Sequence, residues 1–316
     1  PASVKVTDLA GTPVTPRERV VEWDLEAAEK GGYDTFMLKE IHEQPAAITD
    51  TLRGRVEGGR IELAELGIAD DVLIGLDKVF VVACGSSYHA AMTAKYAIER
   101  WTRLPVETDI ASEFRYRDPV LDDRTLVIAI SQSGETIDTL AAVAHAREQG
   151  STIVAVTNVV DSALAREADG VLYTRAGPEI GVAATKTFTT QLVALHLLGL
   201  HLAQVRKSLP GDEVAVLAAA LEALPLHVAE VLASDGDIAR LAATVGDVED
   251  FFFLGRSGDF PVAMEGALKL KEIGYVRAEG YAAGEMKHGP IALVEPGVVV
   301  VGVATDGRVR TKTLSN

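Results

Sequence analysis

The chain has 316 residues and a formal net charge of −16; 48% of its residues are hydrophobic, but only 5% are aromatic. The negative charge argues against nucleic acid or an anionic membrane as a partner. The single cysteine, Cys84, excludes internal disulfides and cysteine-based zinc sites, and it fits a reducing cytoplasm. The length suggests about two domains, and the composition favours α/β layers.

Residues 1–35 do not resemble the start of a domain. The segment VKVTDLAGTPV predicts a short hairpin around Gly11, and Gly31 and Gly32 end an acidic connector. Because a hairpin alone is too small to be stable, we expect this segment to be the trailing edge of a preceding domain. Residues 36–75 predict a helical lead-in, whose first helix (residues 36–55) is interrupted at Pro45.

Strands and helices alternate over residues 76–215. Five short apolar runs predict strands, at Val79–Ala83, Val106–Asp109, Leu126–Ile130, Thr152–Val156 and Val171–Thr174. Helical periodicity separates or follows them, at residues 88–103, 112–117, 137–150, 163–168 and 185–204. Since right-handed crossovers leave few alternatives, we predict an α/β fold: a three-layer αβα domain with a doubly wound, five-stranded parallel sheet in the flavodoxin-like order 2-1-3-4-5.

The loop Ser131–Thr136, with the sequence SQSGET, joins the third predicted strand to its helix. Such a junction exposes free backbone N–H groups at the positive end of a helix dipole, which suits a phosphate. An ordinary N-cap needs one hydroxyl, whereas Ser131, Ser133 and Thr136 supply three beside the Gln132 amide, without Lys or Arg. The missing Gly-Lys-Ser/Thr argues against a nucleotide P-loop and for a smaller phosphoester. The predicted topology brings Cys84–Ser87 to the same crevice.

The pattern repeats roughly 170 residues later, which predicts a duplication. FVVACGSS, from Phe80, is matched by FFFLGRSG, from Phe251, and ASEFRYRDP by AGEMKHGP, so that Glu113 corresponds to Glu285. We therefore predict connecting helices at residues 216–249 and a second copy at residues 250–316, with its third strand at 298–303. Because this copy holds only three of five strands, we expect the sequence to be a fragment.

Glu265, Lys269 and Glu272 stand at i, i+4 and i+7, so they share one face of a helix in the second copy. A solvated row of ion pairs is the simplest interpretation. However, the helix follows the first strand of its copy and so borders a crevice, and the rest of the face is Ala and Leu. Both features favour a functional role. No cluster has metal-ligand spacing, so no metal is expected.

Several segments resemble the isomerase half of the glutamine–fructose-6-phosphate aminotransferase family, which consists of two sugar isomerase (SIS) domains. They are CGSSYHA, ASEFRYR, SQSGETIDTL, GPEIGVAATKTFTTQ, EGALKLKEI and YAAGEMKHGP. The resemblance runs from about Phe36 to Asn316, while residues 1–35 resemble the end of the family's glutaminase domain and a linker. The family's N-terminal catalytic Cys and its C-terminal tail, whose Lys forms a Schiff base, have no counterpart in this sequence.

The resemblance implies a role for each matching residue. Catalysis would fall to Glu272, the base that moves a proton between C1 and C2, to nearby Lys269, and to His288, which assists ring opening across a dimer interface. Substrate would be held by Ser86, Ser87, Ser131, Gln132, Ser133, Thr136, Val182 and Glu265. The family has Ser at the position of Ala184, so the contact near Val182 is one of backbone. The other histidines, among them His89, match no motif.

The resemblance also implies the reaction. A cytoplasmic homodimer without an organic cofactor would convert fructose 6-phosphate and ammonia, derived from glutamine, into glucosamine 6-phosphate for amino-sugar biosynthesis. A non-catalytic SIS module that senses a sugar phosphate is the first alternative. It would keep the anion loop but has no use for Glu272 and His288. A sugar-phosphate isomerase without amination is the second.

Overall fold

The structure is a computed structural model and describes residues 4–15 and 29–315. The predicted N-terminal hairpin is confirmed: Thr7 pairs antiparallel with Pro13. Gly11 turns the chain with a φ of 83°, and the Asp8 carboxylate accepts hydrogen bonds from the Ala10 and Thr12 amides, 2.9 and 2.8 Å long. Most of the predicted acidic connector lies at residues 16–28, outside the described part of the chain.

The first helix, α1 (Phe36–Leu52), is not interrupted at Pro45, so that prediction was wrong. The helix starts at the N-cap Thr35, whose hydroxyl accepts a hydrogen bond from the Leu38 amide. Proline has no N–H, so the carbonyl of Ile41 loses its helical partner. The side-chain amide of Gln44 donates to that carbonyl instead, at 2.9 Å. One neighbouring side chain therefore replaces the missing donor and the helix continues.

A two-stranded hairpin follows, which the sequence did not predict. Strands β1 (Val56–Glu57) and β2 (Arg60–Ile61) pair antiparallel, and a short helix, α2 (Asp70–Gly75), completes the lead-in. Gly58 and Gly59 form the turn, with φ values of 57° and 75°. Two central residues with positive φ match the twist of a tight hairpin, so the Gly-Gly pair was the signal for it.

The first sheet consists of five parallel strands, as predicted, in the order β4-β3-β5-β6-β7. They are β3 (Lys78–Ala83), β4 (Val106–Ile110), β5 (Thr125–Ser131), β6 (Thr152–Thr157) and β7 (Gly170–Tyr173). Numbered along the chain, this is the order 2-1-3-4-5, so the predicted topology is confirmed. Every strand end lies within one residue of its predicted position. Most of the differences are extensions, because hydrogen bonding continues slightly beyond the apolar runs, whereas β7 ends one residue early.

Helices cover both faces of this sheet. They are α3 (Gly85–Thr102), α4 (Ala111–Arg117), α5 (Ile137–Glu148), α6 (Ala163–Glu167) and α7 (Lys186–Val205). Alternate residues of β5 point to opposite cores: Ile128 packs with α3 and α7, and Val127 packs with α4 and α5. Each residue of β5 is buried. This explains why the strand is a continuous apolar run.

Two further helices connect the halves of the chain, α8 (Gly211–Leu232) and α9 (Asp235–Thr244). By length and composition alone, α7 and α8 could each cross a membrane. For α7, 61% of its 18-residue hydrophobic stretch is buried within the protein, which identifies it as a core helix. The corresponding value for α8 is 17%. It packs through Val214, Ala218 and Leu221 and exposes other apolar residues, including Val216 and Leu226.

The second sheet repeats the start of the first. Strands β8 (Asp250–Gly255), β9 (Arg277–Ala282) and β10 (Val299–Gly302) are parallel in the order β10-β8-β9. Helix α10 (Asp259–Gly274) follows β8, 3₁₀ turns at Ala283–Lys287 and Pro290–Leu293 follow β9, and α11 (Arg310–Leu314) follows β10. The first strand lies between the second and third, as β3 lies between β4 and β5. The predicted duplication is therefore confirmed at the level of topology.

Candidate active site

The candidate site lies at the carboxyl ends of β3 and β5. These strands are neighbours, yet the chain leaves β3 toward β4 on one side and reaches β5 on the other. Crevices open at such reversals of strand order in doubly wound sheets, and ligands bind there. Two sequence-predicted loops meet at this point: Ser86 and Ser87 follow β3, and Ser131–Thr136 follows β5.

The loop Ser131–Thr136 is closed by its own hydroxyls. The Ser131 and Thr136 hydroxyl oxygens lie 2.8 Å apart, and the Gly134 amide donates to Ser131 Oγ at 3.0 Å. Ser131 is 3% exposed, so its hydroxyl forms hydrogen bonds within the loop and not with the solvent. Ser133 and Gln132 are half-buried at the crevice. The sequence predicted this group of side chains, but not the division between those that shape the loop and those that face outward.

Neighbouring segments fix the same loop from behind. The carbonyl of Gln132 accepts a hydrogen bond from the Asn158 amide at 3.1 Å, and that of Gly134 accepts one from Leu164 at 2.9 Å. The Glu135 carboxylate turns away from the crevice and accepts from the Ala163 amide. Gly134 has a φ of 67°, and a Cβ there would collide with the Ser162 side chain. Only glycine fits this turn without strain.

Two helices begin at the crevice without a side-chain cap. Thr136 precedes α5 and Cys84 precedes α3, and neither side chain accepts a hydrogen bond from the first turn of its helix. The first amides of both helices therefore remain free to bind another acceptor. With the two helix dipoles, they form a positive environment that contains no Lys or Arg in either loop. This arrangement suits a phosphate.

Helix α10 belongs to the second unit, which contains strands β8–β10, whereas the first unit contains strands β3–β7. It packs against α3 of the first unit and adds charged groups to the crevice. Lys269 Nζ lies 3.1 Å from Ser86 Oγ in the first unit and 2.5 Å from Glu272 Oε2 on its own helix. Glu272 keeps a third of its side chain exposed (34%). Through Lys269, the three predicted residues of α10 therefore reach Ser86 at the carboxyl end of β3, and Lys269 connects the two units directly.

Glu265 occupies the buried end of this face, and its partner is a residue that sequence reasoning missed. Its Oε2 lies 2.7 Å from His89 Nδ1 on α3, and its Oε1 lies 3.5 Å from Lys269 Nζ. His89 and Glu265 are 8% and 6% exposed. Nothing local marks His89 as special. Its position in CGSSYHA, one turn beyond Ser86, was the available signal.

The loop that carries Val182 is held by two carboxylates outside the predicted set. Glu40 on α1 is 2% exposed and accepts hydrogen bonds from the Ile180 and Gly181 amides. Glu179 accepts from the Thr185 amide at 2.9 Å. Val182 itself is 97% exposed at the tip of the loop. The backbone of Val182 is therefore held toward the solvent by buried Glu40 and partly buried Glu179, contacts that only the tertiary structure reveals.

His288 stands apart from the other predicted catalytic residues. It follows the 3₁₀ turn Ala283–Lys287, and its backbone amide donates to the Glu285 carbonyl. Its side chain is exposed and makes no hydrogen bond or ion pair within residues 4–15 and 29–315. The fold of a single chain does not bring it into contact with Glu272.

Cys84 lies at the end of β3, half-buried beside the crevice. Burial raises the pKa of its thiol, and the charge of Asp138 acts in the same direction. A raised pKa keeps the thiol neutral, so Cys84 lacks the character of a nucleophile. In the described part of the chain, no group of three or more His, Cys, Asp or Glu residues could hold a metal ion.

The fold and these motifs match one protein family. The SIS domain family model covers residues 73–201 and 247–316, one segment in each unit. The chain therefore belongs to the SIS domain family.

Within that family, the chain is similar to the glutamine–fructose-6-phosphate aminotransferases [isomerizing]. It is 58% identical over 300 residues to the one from Mycobacterium tuberculosis, covering 94% of this chain and 48% of that protein. The enzyme from Streptomyces coelicolor is 53% identical over 309 residues, with 98% and 50% covered. The chain thus spans about half the length of the curated relatives it matches. Among solved structures, the C-terminal domain of glucosamine-fructose-6-phosphate aminotransferase from Francisella tularensis superposes with a TM-score of 0.88 at 43% identity, covering 91% of this chain and 80% of that one.

Proposed function

We propose that the chain binds fructose 6-phosphate and catalyses the amination and isomerisation that give glucosamine 6-phosphate. One observation carries the proposal: Lys269 bridges Ser86, beside the phosphate loop, and Glu272, a partly exposed carboxylate, at 3.1 and 2.5 Å. An anion site and a general base thereby share one crevice. The names of the similar aminotransferases support the same reaction.

The proposed phosphate site consists of the free amides of α3 and α5 together with Ser87, Gln132, Ser133 and Thr136. Hydrogen bonds to a charged group contribute about 1.5–3 kcal/mol each, so a few of them would hold a phosphoester without a cation in the loop. Val182 would contact the sugar through its backbone. Glu265, by contrast, would act on the substrate only through Lys269, since its oxygens face His89 and Lys269.

The proposed chemistry is a proton transfer between two adjacent carbons. Ammonia adds to the C2 carbonyl of the open-chain sugar, and loss of water gives an imine. Glu272 then takes a proton from C1 while the imine nitrogen gains a proton, which gives an enaminol. Glu272 returns the proton to C2 as the O1 hydroxyl loses its proton, so that the electron pair of the C1–C2 double bond forms the new C2–H bond and an aldehyde forms at C1. The carbonyl and imine supply the acidity, so no organic cofactor and no metal are required. General base catalysis of this kind contributes about 10²–10⁴-fold.

Ring opening is assigned to His288, and it requires a second copy of the chain. A protonated imidazole can donate a proton to the ring oxygen as it leaves. Because His288 is exposed and lies away from Glu272 in one chain, we propose that a homodimer brings it to the partner's crevice. The proposal places this enzyme in the cytoplasm, in amino-sugar biosynthesis, without nucleic acid or membrane partners.

The test is C1 proton exchange with solvent, followed by NMR on fructose 6-phosphate in D₂O with and without ammonium. We expect exchange in the wild-type chain and its loss by about 10²–10⁴-fold in Glu272→Gln, with sugar-phosphate binding retained. In parallel, calorimetry should show that fructose binds much more weakly than fructose 6-phosphate and that Ser133→Ala costs about 1–2 kcal/mol of binding.

The outcomes separate the alternatives. Binding of fructose 6-phosphate without exchange, in wild type and Glu272→Gln alike, would favour a sugar-phosphate sensor. Exchange accompanied by glucose 6-phosphate, with no glucosamine 6-phosphate when ammonium is present, would favour an isomerase without amination. Equal affinity for fructose and fructose 6-phosphate would refute the phosphate site itself.

A further inference from the structure

We propose that His89 is a positioning residue for the proton-transfer site, a role that rests on the proposed function. It holds the buried carboxylate of Glu265, so that the charge of Lys269 remains directed at Glu272 and at Ser86. Through this chain of contacts, a histidine of the first unit sets the position of the base carried by the second unit.

The contacts form a continuous path across the interface between α3 and α10. His89 Nδ1 lies 2.7 Å from Glu265 Oε2, Glu265 Oε1 lies 3.5 Å from Lys269 Nζ, and Lys269 Nζ lies 2.5 Å from Glu272 Oε2. The Lys269–Ser86 contact, 3.1 Å long, returns the path to the first unit. Since an ionised carboxylate can only accept hydrogen bonds, Nδ1 of His89 carries the hydrogen and donates to Glu265.

The balance of charge shows why His89 matters. Lys269 lies between two carboxylates, and one of them, Glu265, is almost completely buried with 7% of its side chain exposed. A buried carboxylate without a full set of partners is costly. Glu265 Oε1 already lacks a hydrogen bond within residues 4–15 and 29–315. Without His89, Glu265 would keep Lys269 as its remaining partner among the described residues. It would then draw the Lys269 ammonium group away from Glu272 and Ser86.

His89 does not itself meet the criteria for a catalytic group. It is 8% exposed, and the ring nitrogen that faces the crevice network is occupied by Glu265. His89 lines a cavity of about 470 Å³ between the two units, together with Tyr88, Met264 and Tyr281. Within residues 4–15 and 29–315, the hydrogen-bond partner of its ring is Glu265. Its effect on the reaction must therefore pass through Glu265 and Lys269.

The experiment uses the chain together with three single variants and one double variant, Glu265→Gln combined with His89→Leu. His89→Leu removes the donor at similar volume, and His89→Asn keeps an amide donor close to the position of Nδ1. The control His145→Leu removes a histidine of α5 that pairs with Asp118 at 3.4 Å, away from the crevice. C1 proton exchange, fructose 6-phosphate binding and the side-chain ammonium signals of buried lysines in ¹⁵N NMR are measured for each.

We expect His89→Leu to lower C1 exchange by about 10- to 100-fold, as expected when a reacting group is displaced, and to change binding by less than about threefold. His89→Asn should recover most of the rate, and His145→Leu should match wild type. Glu265→Gln combined with His89→Leu should lose less than His89→Leu alone, because the buried charge is gone. A general loss of folding would not produce this pattern.

The ammonium signals test the positioning role of His89 even if the wild-type chain shows no C1 proton exchange. Such a lack of exchange would count against the proposed function and not against the positioning role. In His89→Leu the Lys269 signal should shift, while that of Lys186, buried and paired with Glu43 at 2.6 Å, should not. An unchanged Lys269 signal in His89→Leu, or wild-type exchange in that variant, would overturn the positioning role.

Discussion

The two units present the same crevice with different contents. In the first, the loop after β5 leaves Gln132 and Ser133 half-buried at the crevice and the first amides of α5 without a side-chain cap. In the second, Thr305 is the residue equivalent to Ser133. The register shows this equivalence, because Val299 pairs with Phe251 as Val127 pairs with Phe80. The amide and hydroxyl of Thr305 both donate to the carboxylate of Asp259, at 3.1 and 2.7 Å.

The difference follows from the first turn of each helix. Helix α3 begins with Gly85, Ser86 and Ser87 and has no acidic residue there, whereas α10 begins with Asp259, which is 7% exposed. A carboxylate fixed by the chain takes the same donors that a bound phosphate would take. In the second crevice, the carboxylate of Asp259 therefore occupies the place that an anion would take. The two units therefore differ in what they bring to the crevice: the first has a loop followed by an uncapped helix, and the second has a helix whose Lys269 contacts Ser86.

The largest effect is expected from a substitution in the first loop that has a harmless counterpart in the second. Gly134→Ala places a Cβ against Ser162 at a positive φ, which should lower the free energy of unfolding by about 2 kcal/mol or more and weaken phosphate binding about tenfold. Asp306 is the matching residue after β10, exposed and paired with Arg310. Asp306→Ala should change stability by less than about 0.5 kcal/mol. Thermal unfolding and calorimetry measure both, and similar losses in the two variants would end the comparison.

A smaller effect is expected from the carboxylate that fills the second crevice. Asp259→Asn keeps the shape but weakens the two hydrogen bonds from Thr305, so we expect a stability loss of about 1–3 kcal/mol at neutral pH. Fructose 6-phosphate should still bind at one site per chain with nearly unchanged affinity, because the first crevice is untouched. Denaturant unfolding and the stoichiometry from calorimetry test this. If Asp259→Asn abolished binding, the second crevice would be part of the substrate site.

The sequence predicted the sheets well because their signals are local. A strand buried on both faces, such as β5, is a continuous apolar run, and the crossover rule then leaves few possible strand orders. It also located the loop Ser131–Thr136, since a run of hydroxyls between a buried strand and a helix is itself a local pattern. Pro45 was misjudged because its compensation, the Gln44 side chain, requires a specific rotamer. The β1–β2 hairpin was missed although Gly58 and Gly59 marked it.

Long-range electrostatic partners could not be predicted in this way. His89 and Glu265 are 176 residues apart, and Glu40 braces amides 140 and 141 residues away. Each pairing depends on the packing of helices whose relative position no local pattern specifies. Likewise, Asp259 was not recognised as the occupant of the second crevice, because only the register of β10 brings Thr305 to it.

The smallest expected effect is the pH dependence that distinguishes the cores of the two units. Histidines lie within helix α7 of the first unit, and burial lowers the pKa of His196 below its ordinary value of 6.5, against a weaker opposing hydrogen bond from Nδ1 to the Leu192 carbonyl. Burial lowers the pKa of His201 on the same helix as well. The histidine of the second unit, His288, is exposed.

The sign of the effect follows from where the protons bind. Above about pH 6.5, His196 is neutral in both the folded and unfolded chains, and its contribution to stability is complete. As the pH falls below about 6.5, the unfolded chain takes up a proton that the folded chain excludes, so stability is lost until the lowered pKa of the folded state is reached. His196→Leu should therefore flatten the decline in unfolding free energy between about pH 6.5 and 5, while its difference from wild type stays constant between about pH 7 and 8. Urea unfolding at half-unit pH steps provides the measurement. An equally steep decline in His196→Leu would show that the acid sensitivity of the first unit arises elsewhere, with His201 as the next variant to measure.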